Sequence, residues 1–217
     1  MFLKKKLIAD LLFWIQIVCA FILCGSQFFR FLETTKGQLL SMFLIMEAYL
    51  YLHLMLAVGA HRAQPSRVTR QTLWTYAMWL VLILSNIVAI FFNGSYRWSQ
   101  NDTRTVTLAL LGTALVFIVM KLRRIRLQDP MLKSFLAMLF KALPQFIMAL
   151  EVAQKGGAGL PPAAVITGNI TILIRIGQVW FAICEAGWDR NRVWLCVSET
   201  VNEISWATVS VVWLLKS

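Results

Sequence analysis

The sequence is poor in what metal and nucleophile chemistry draws on. It holds two histidines, His53 and His61, and four cysteines, Cys19, Cys24, Cys184 and Cys196. Neither set has metal-ligand spacing, and there is no HExxH pattern. No GxSxG elbow, Walker sequence or Rossmann glycine run occurs either. An enzyme is therefore not expected, and no cofactor or metal is implied. The cysteines lie within or at the ends of apolar runs, where they read as small buried apolar residues and not as a disulfide framework. Acid is scarce as well: 10 Asp and Glu stand against 21 Lys and Arg, for a net charge of +11.

What remains is apolar. The hydrophobic share is 59% and the mean hydropathy +0.69, against about 45–50% apolar in a soluble domain. Seven runs approach the roughly 20 apolar residues that cross a bilayer core: 7–30, 39–59, 73–92, 105–121, 131–152, 160–184 and 193–215. Turn formers or charges break the chain at Thr34-Thr35-Lys36-Gly37, Gln64-Pro65-Ser66, Asn93-Gly94-Ser95, Gln128-Asp129-Pro130, Lys155-Gly156-Gly157 and Gly187-Trp188-Asp189, as helix ends require. The start, Lys4-Lys5-Lys6 followed by Leu7 to Leu23, imitates a signal peptide. Its apolar region is too long and no small-x-small cleavage site follows, so it is read as a first membrane helix.

Basic residues gather in the connections. Thirteen fall on the side of the N-terminus, including the segment Lys121-Leu122-Arg123-Arg124-Ile125-Arg126, and six on the other. The positive-inside rule then predicts a cytoplasmic N-terminus and an external C-terminus. The same placement assigns the positive charge to anionic lipid and not to nucleic acid.

Two halves are visible. Gln27 precedes Glu33 by six residues, as Gln145 precedes Glu151, and each pair is followed by a glycine-bearing turn and a new apolar run. Residues 1–93 form a first three-helix repeat, 94–130 a linker helix with a basic loop, and 131–217 a second three-helix repeat. The second triplet begins after four crossings, so the repeats are parallel. The expected fold is an all-α integral membrane protein with seven transmembrane helices, as two parallel three-helix repeats joined by a linker helix. The linker run 105–121 is the shortest and least polar. Pro144, inside an apolar run, removes a backbone hydrogen bond and predicts a kink. In lipid such a break is tolerated where neighbours or a wet cavity satisfy the freed carbonyl.

Polar groups inside apolar runs are costly and mark pathways. Glu199, Asn202, Glu203, Trp206 and Ser210 fall on one helical face, as do Thr167, Thr171, Arg175 and Gln178. The third run carries Thr72, Thr75, Trp79 and Asn86, and the second Glu47 and Tyr51. Arg175 sits mid-run and requires a carboxylate, Glu203 first, then Glu199 or Glu47. The pair is either a structural ion pair or a gate in which the carboxylate takes a proton and frees the arginine. Asn86 lies 59 residues after Gln27 and Asn202 57 after Gln145, nearly matching places in the two halves. A buried amide suits hydroxyls or an amino-acid head group, or acts as interhelical glue. Trp79 and Trp206 either cap a cavity or pack. Trp98, Trp188 and Trp194 fall near helix ends as interfacial anchors, and Pro161-Pro162 reads as a helix start.

Three helices, a linker helix and three more, with Pro144-Gln145 early in the second half and Ser26-Gln27 at the matching place in the first, resemble the PQ-loop/SWEET superfamily over most of the chain. The resemblance implies a transporter that moves a small polar solute, sugar or amino acid, by alternating access. Its lysosomal members add proton coupling. The alternative on the same fold is a peptide-binding receptor or scaffold resembling the KDEL receptor. By resemblance Asn86 and Asn202 line the central site. Trp79, Trp206 and Arg175 join them as candidate binding residues, Glu203, Glu199 and Glu47 as candidates for proton coupling or gating, and Pro144, Gln145 and Gln27 as the hinge. The implied partners are the solute and the bilayer. Seven helices enclose a pathway in a monomer, and the resemblance allows a homo-oligomer.

Overall fold

The computed structural model describes residues 2–126 and 129–216; Gln128 of the expected break and the side chains of Lys4, Lys5 and Lys6 lie outside what is described. The described residues form seven helices: α1 (Phe2–Glu33), α2 (Leu40–Ala63), α3 (Arg67–Asn93), α4 (Gln100–Leu122), α5 (Pro130–Lys155), α6 (Pro162–Ala186) and α7 (Arg190–Lys216). Their ends carry the chemistry that ends helices. Ser66 and Thr69 make a reciprocal capping box at the start of α3, and Gly94 closes that helix at φ 66°, a conformation glycine adopts without a Cβ penalty. Asp129 accepts from the Met131 amide ahead of α5. Pro162 occupies the first turn of α6, the start signal expected of the proline pair.

One boundary differs from the sequence reading, and one helix interior carries a feature that the reading lacks. Helix α4 begins at Gln100, five residues before its apolar run, because Ser99 and Asp102 form a second capping box. Helix α5 runs unbroken through Pro144 by inserting a π turn, Met138–Ala142, in which the Leu143 amide reaches back to the Met138 carbonyl. A π turn takes up one extra residue in the ladder. It thereby shifts the register just where the proline lacks its own donor.

Helix α3 packs on both α1 and α2, and α7 packs on both α5 and α6. Across the molecule α1 meets α6, and α2 meets α5, while α4 leans on α2 and α5. One core joins the halves, from Cys24, Phe31, Phe43 and Ile90 to Met148, Val165 and Trp206. Phe31 and Phe43 meet edge to face with ring centroids 5.4 Å apart.

Six helices, α1 to α6, are long and apolar enough to cross a membrane. Helix α7 is as long but is not one of them; it carries Ser198, Glu199, Asn202, Glu203 and Ser205. The outer faces are apolar as well. Trp14, Phe21, Phe92, Leu110, Leu115 and Leu214 are among many large side chains left exposed, far more than an isolated soluble domain tolerates as a contiguous surface.

Candidate functional site

The polar interior is built in two layers, one at the middle of the helices and one at the end where the glycine turns lie. In the middle layer, Lys141 leaves the π turn of α5 and points at Glu199 of α7, Nζ to Oε1 3.3 Å. The Nε of Arg175, on α6, stands 4.0 Å from the same oxygen. Arg175 also donates to Gln178 at 3.4 Å, as their shared helical face requires. Glu199 is buried, whereas the Arg175 side chain is 41% exposed, so this corner is reached from outside the protein. Two cations on one carboxylate leave one positive charge over.

The first half supplies the facing wall. The Lys141 ammonium lies 5.6 Å above the Tyr49 ring. Tyr49 stacks on His53 at 4.0 Å, and His53 lies 5.4 Å from Tyr76. A cation over a ring face in a poorly hydrated place is held by about 2 kcal/mol. The α5 cation therefore meets the Tyr49 ring of α2, behind which His53 and Tyr76 continue the aromatic wall to α3.

Of the three carboxylates that the sequence offers Arg175, the structure brings up Glu199 and not Glu203, the first of them. The arginine reaches Glu199, one turn earlier on the same face. Glu203 and Glu47 each keep one buried oxygen without a hydrogen-bond partner. Trp206 packs between helices. It is buried, lies against Gly168, and donates to the Val165 carbonyl at 3.3 Å. Trp79 is half-buried against the core. Asn86 and Asn202 are both buried with an unpartnered Oδ1 each, and among the described residues no hydrogen bond joins them. Asn86 donates to the Leu82 carbonyl of its own helix at 3.0 Å. Of the hinge candidates, Gln145 accepts from Ser205 at 2.5 Å and so ties α5 to α7. Pro144 follows the π turn, and Gln27 is buried in α1.

The second layer was not anticipated from the sequence. Asp102, fully buried in the first turn of α4, accepts from the amides of Ser41 (2.9 Å) and Ser99 (2.8 Å) and from the Tyr96 hydroxyl. The Leu40 amide donates in turn to the Tyr96 oxygen at 2.8 Å. One carboxylate thus caps two helices, α2 and α4. Tyr96 lies in the α3–α4 connection, and burial pushes its phenol well above the ordinary tyrosine value, with the Asp102 hydrogen bond adding to the rise. Beside it Asn101 donates to Glu151 at 2.6 Å and to Gln154 at 2.9 Å, and Lys155 pairs with Glu151 at 2.6 Å. The two glycine turns meet each other here. The Gly159 amide donates to the Lys36 carbonyl at 2.8 Å, and Arg30 donates to the Ala158 carbonyl at 2.6 Å. Gly37 adopts φ 78°, and a Cβ on it would collide with the Gly156 carbonyl oxygen.

Lys141 and Asp102 were legible in principle. Lys141 is an ionisable residue inside an apolar run, the feature that marked Arg175. Ser99-x-x-Asp102 follows the capping-box pattern with Asp in the third place. No family model, no curated protein and no solved structure matches the chain.

Proposed function

We propose that the chain is a multi-pass membrane transporter for a small polar solute, built as two parallel three-helix repeats of the PQ-loop/SWEET kind with α4 as linker. Six apolar helices with exposed apolar faces support membrane insertion. Helix α7 is the seventh span, its Glu199 carboxylate turned to the Lys141 and Arg175 cations. The repeat reading is supported by the packing, in which the third helix of each half lies on both the first and the second.

The observation that carries the proposal is the Lys141–Glu199–Arg175 cluster on the second half against Tyr49, His53 and Tyr76 on the first. A structural ion pair needs one cation per carboxylate; a second cation offers an anionic group somewhere to bind. That favours a solute with a carboxylate, an amino acid or related acid, over a neutral sugar. The solute carboxylate takes the place of Glu199 beside Lys141 or Arg175, and a proton on Glu199 makes that exchange easier. The docked glycine turns close the end of the bundle that the charge rule places outside. This is then a form open or occluded toward the cytoplasm.

Flux of labelled amino acids across sealed proteoliposomes tests the proposal. Uptake of carboxylate solutes that is lost in Lys141→Met supports it. Saturable binding with no flux favours the receptor on the same fold.

A further inference from the structure

Helices α1 and α3 leave a groove of about 730 Å³ between them on the outer face, away from the charged cluster. Its two walls share one gradient. At one end stand Asp10, Arg67, Arg70 and Gln71; beyond them come Trp14 and Trp74; at the far end Phe21 and Val81 close an entirely apolar stretch. From Asp10 to Phe21, and from Arg70 to Val81, is eleven residues, or about 16 Å of helix rise. That is close to half of the roughly 30 Å hydrocarbon core, one leaflet deep.

The charges at the polar end are unequal. Asp10 is matched by Arg67 and also accepts from the Gln71 amide at 3.3 Å. Arg70 is exposed and has no acidic partner among the described residues. A matched ion pair with a spare arginine at the mouth of an apolar trough, followed one turn further along by two tryptophans, has the polarity order of a phospholipid. A zwitterionic headgroup would bring its own cation toward Arg70. An anionic one would not.

We propose that this groove is a binding site for an anionic glycerophospholipid, with the phosphate at Arg70 and an acyl chain lying between α1 and α3 toward Phe21 and Val81. The site rests on the membrane location proposed above and does not depend on transport. Extraction of the chain from membranes by alkaline carbonate would sink the location itself and is read separately.

The test is lipid retention on the purified, delipidated full chain, followed by native mass spectrometry after exposure to mixed micelles of phosphatidylglycerol and phosphatidylcholine. Wild type should retain phosphatidylglycerol in preference. Arg70→Glu should lower that preference by roughly five-fold or more, since a basic residue at the membrane surface contributes about 1 kcal/mol toward anionic lipid. Ala77→Phe, which fills the trough, should reduce retention of both lipids. The helical fold is checked in each variant by circular dichroism and, should Arg70→Glu unfold, Arg70→Gln replaces it with the same expectation. Equal retention of the two lipids by wild type, or an unchanged preference in a folded Arg70 variant, overturns the proposal. So does a rise in melting temperature with inorganic phosphate alone that matches the rise with phosphatidylglycerol, since that describes an anion site without a chain.

Discussion

Removing the Glu199 carboxylate leaves Lys141 and Arg175 with no opposite charge between them. Breaking a buried pair costs about 3–5 kcal/mol. Lys141 is the less exposed of the two cations, 21% against 41%. Glu199→Gln should therefore destabilise the detergent-solubilised protein by about 3 kcal/mol in denaturant unfolding. Glu203→Gln, with no cation to abandon, should stay within about 1 kcal/mol. Equal effects would mean that the cluster has been assigned to the wrong carboxylate. The sequence names both carboxylates as partners of Arg175 but does not choose between them, for a definite reason. Glu199 and Glu203 are one turn apart on one face, and periodicity cannot tell them apart. Which of them stands level with Arg175 depends on how far α7 has slid along α6, a packing quantity that no local pattern encodes. Arg175 itself was legible because a mid-helix arginine is expensive wherever its partner lies.

At the scale of elements, the first turn of α4 fixes more than its apolar remainder does. Its buried residues are Asn101, Asp102, Thr105 and Ala109, all toward one end, while Leu110, Leu115 and Leu122 face outward. Asp102→Ala frees the Ser41 and Ser99 amides and the Tyr96 hydroxyl at once. At about 1–3 kcal/mol for each buried donor left unmade, a loss of at least 3 kcal/mol is expected in thermal or denaturant unfolding. A loss below about 1 kcal/mol would deny Asp102 its role as a double cap. The raised Tyr96 phenol adds a pH dependence. A group whose folded value is raised contributes stability that is present below its unfolded value, here 10.0, and lost as pH climbs above it. Tyr96→Phe should flatten the alkaline side of the stability profile above that pH, and a profile unchanged by the substitution would contradict the burial argument. The sequence makes the long helices legible because apolar length alone marks them. It hides the π turn, since nothing in Met138–Ala142 distinguishes a five-residue turn from α-helix until the proline and the α7 contact are both in place.

For the whole molecule, the two halves share an order of packing but not a set of interactions. Glu151 is buried and bonded to Asn101 and Lys155, whereas Glu33, its counterpart six residues after Gln27, is exposed and pairs with Arg30. The two cations of the central cluster lie on α5 and α6, and the Tyr49 ring under Lys141 lies on α2. The orientation that the charge rule predicts is open to labelling. With the four native cysteines replaced, a membrane-impermeant thiol reagent on intact cells should modify Ser95→Cys, in the α3–α4 connection, and leave Ser66→Cys, in the α2–α3 connection, untouched. The reverse pattern would invert the molecule in the membrane.

The most direct measurement is uptake of labelled amino acids and sugars into proteoliposomes, with and without an imposed proton gradient, for wild type, Lys141→Met and a folded Lys141→Arg control. The proposal requires uptake of carboxylate-bearing solutes, at least ten-fold slower in Lys141→Met, where about 1.4 kcal/mol of carboxylate binding is lost, and partly kept in Lys141→Arg. Uptake of neutral sugars alone, unchanged by either substitution, would make the Lys141–Glu199–Arg175 cluster a structural brace and contradict its role as the solute site.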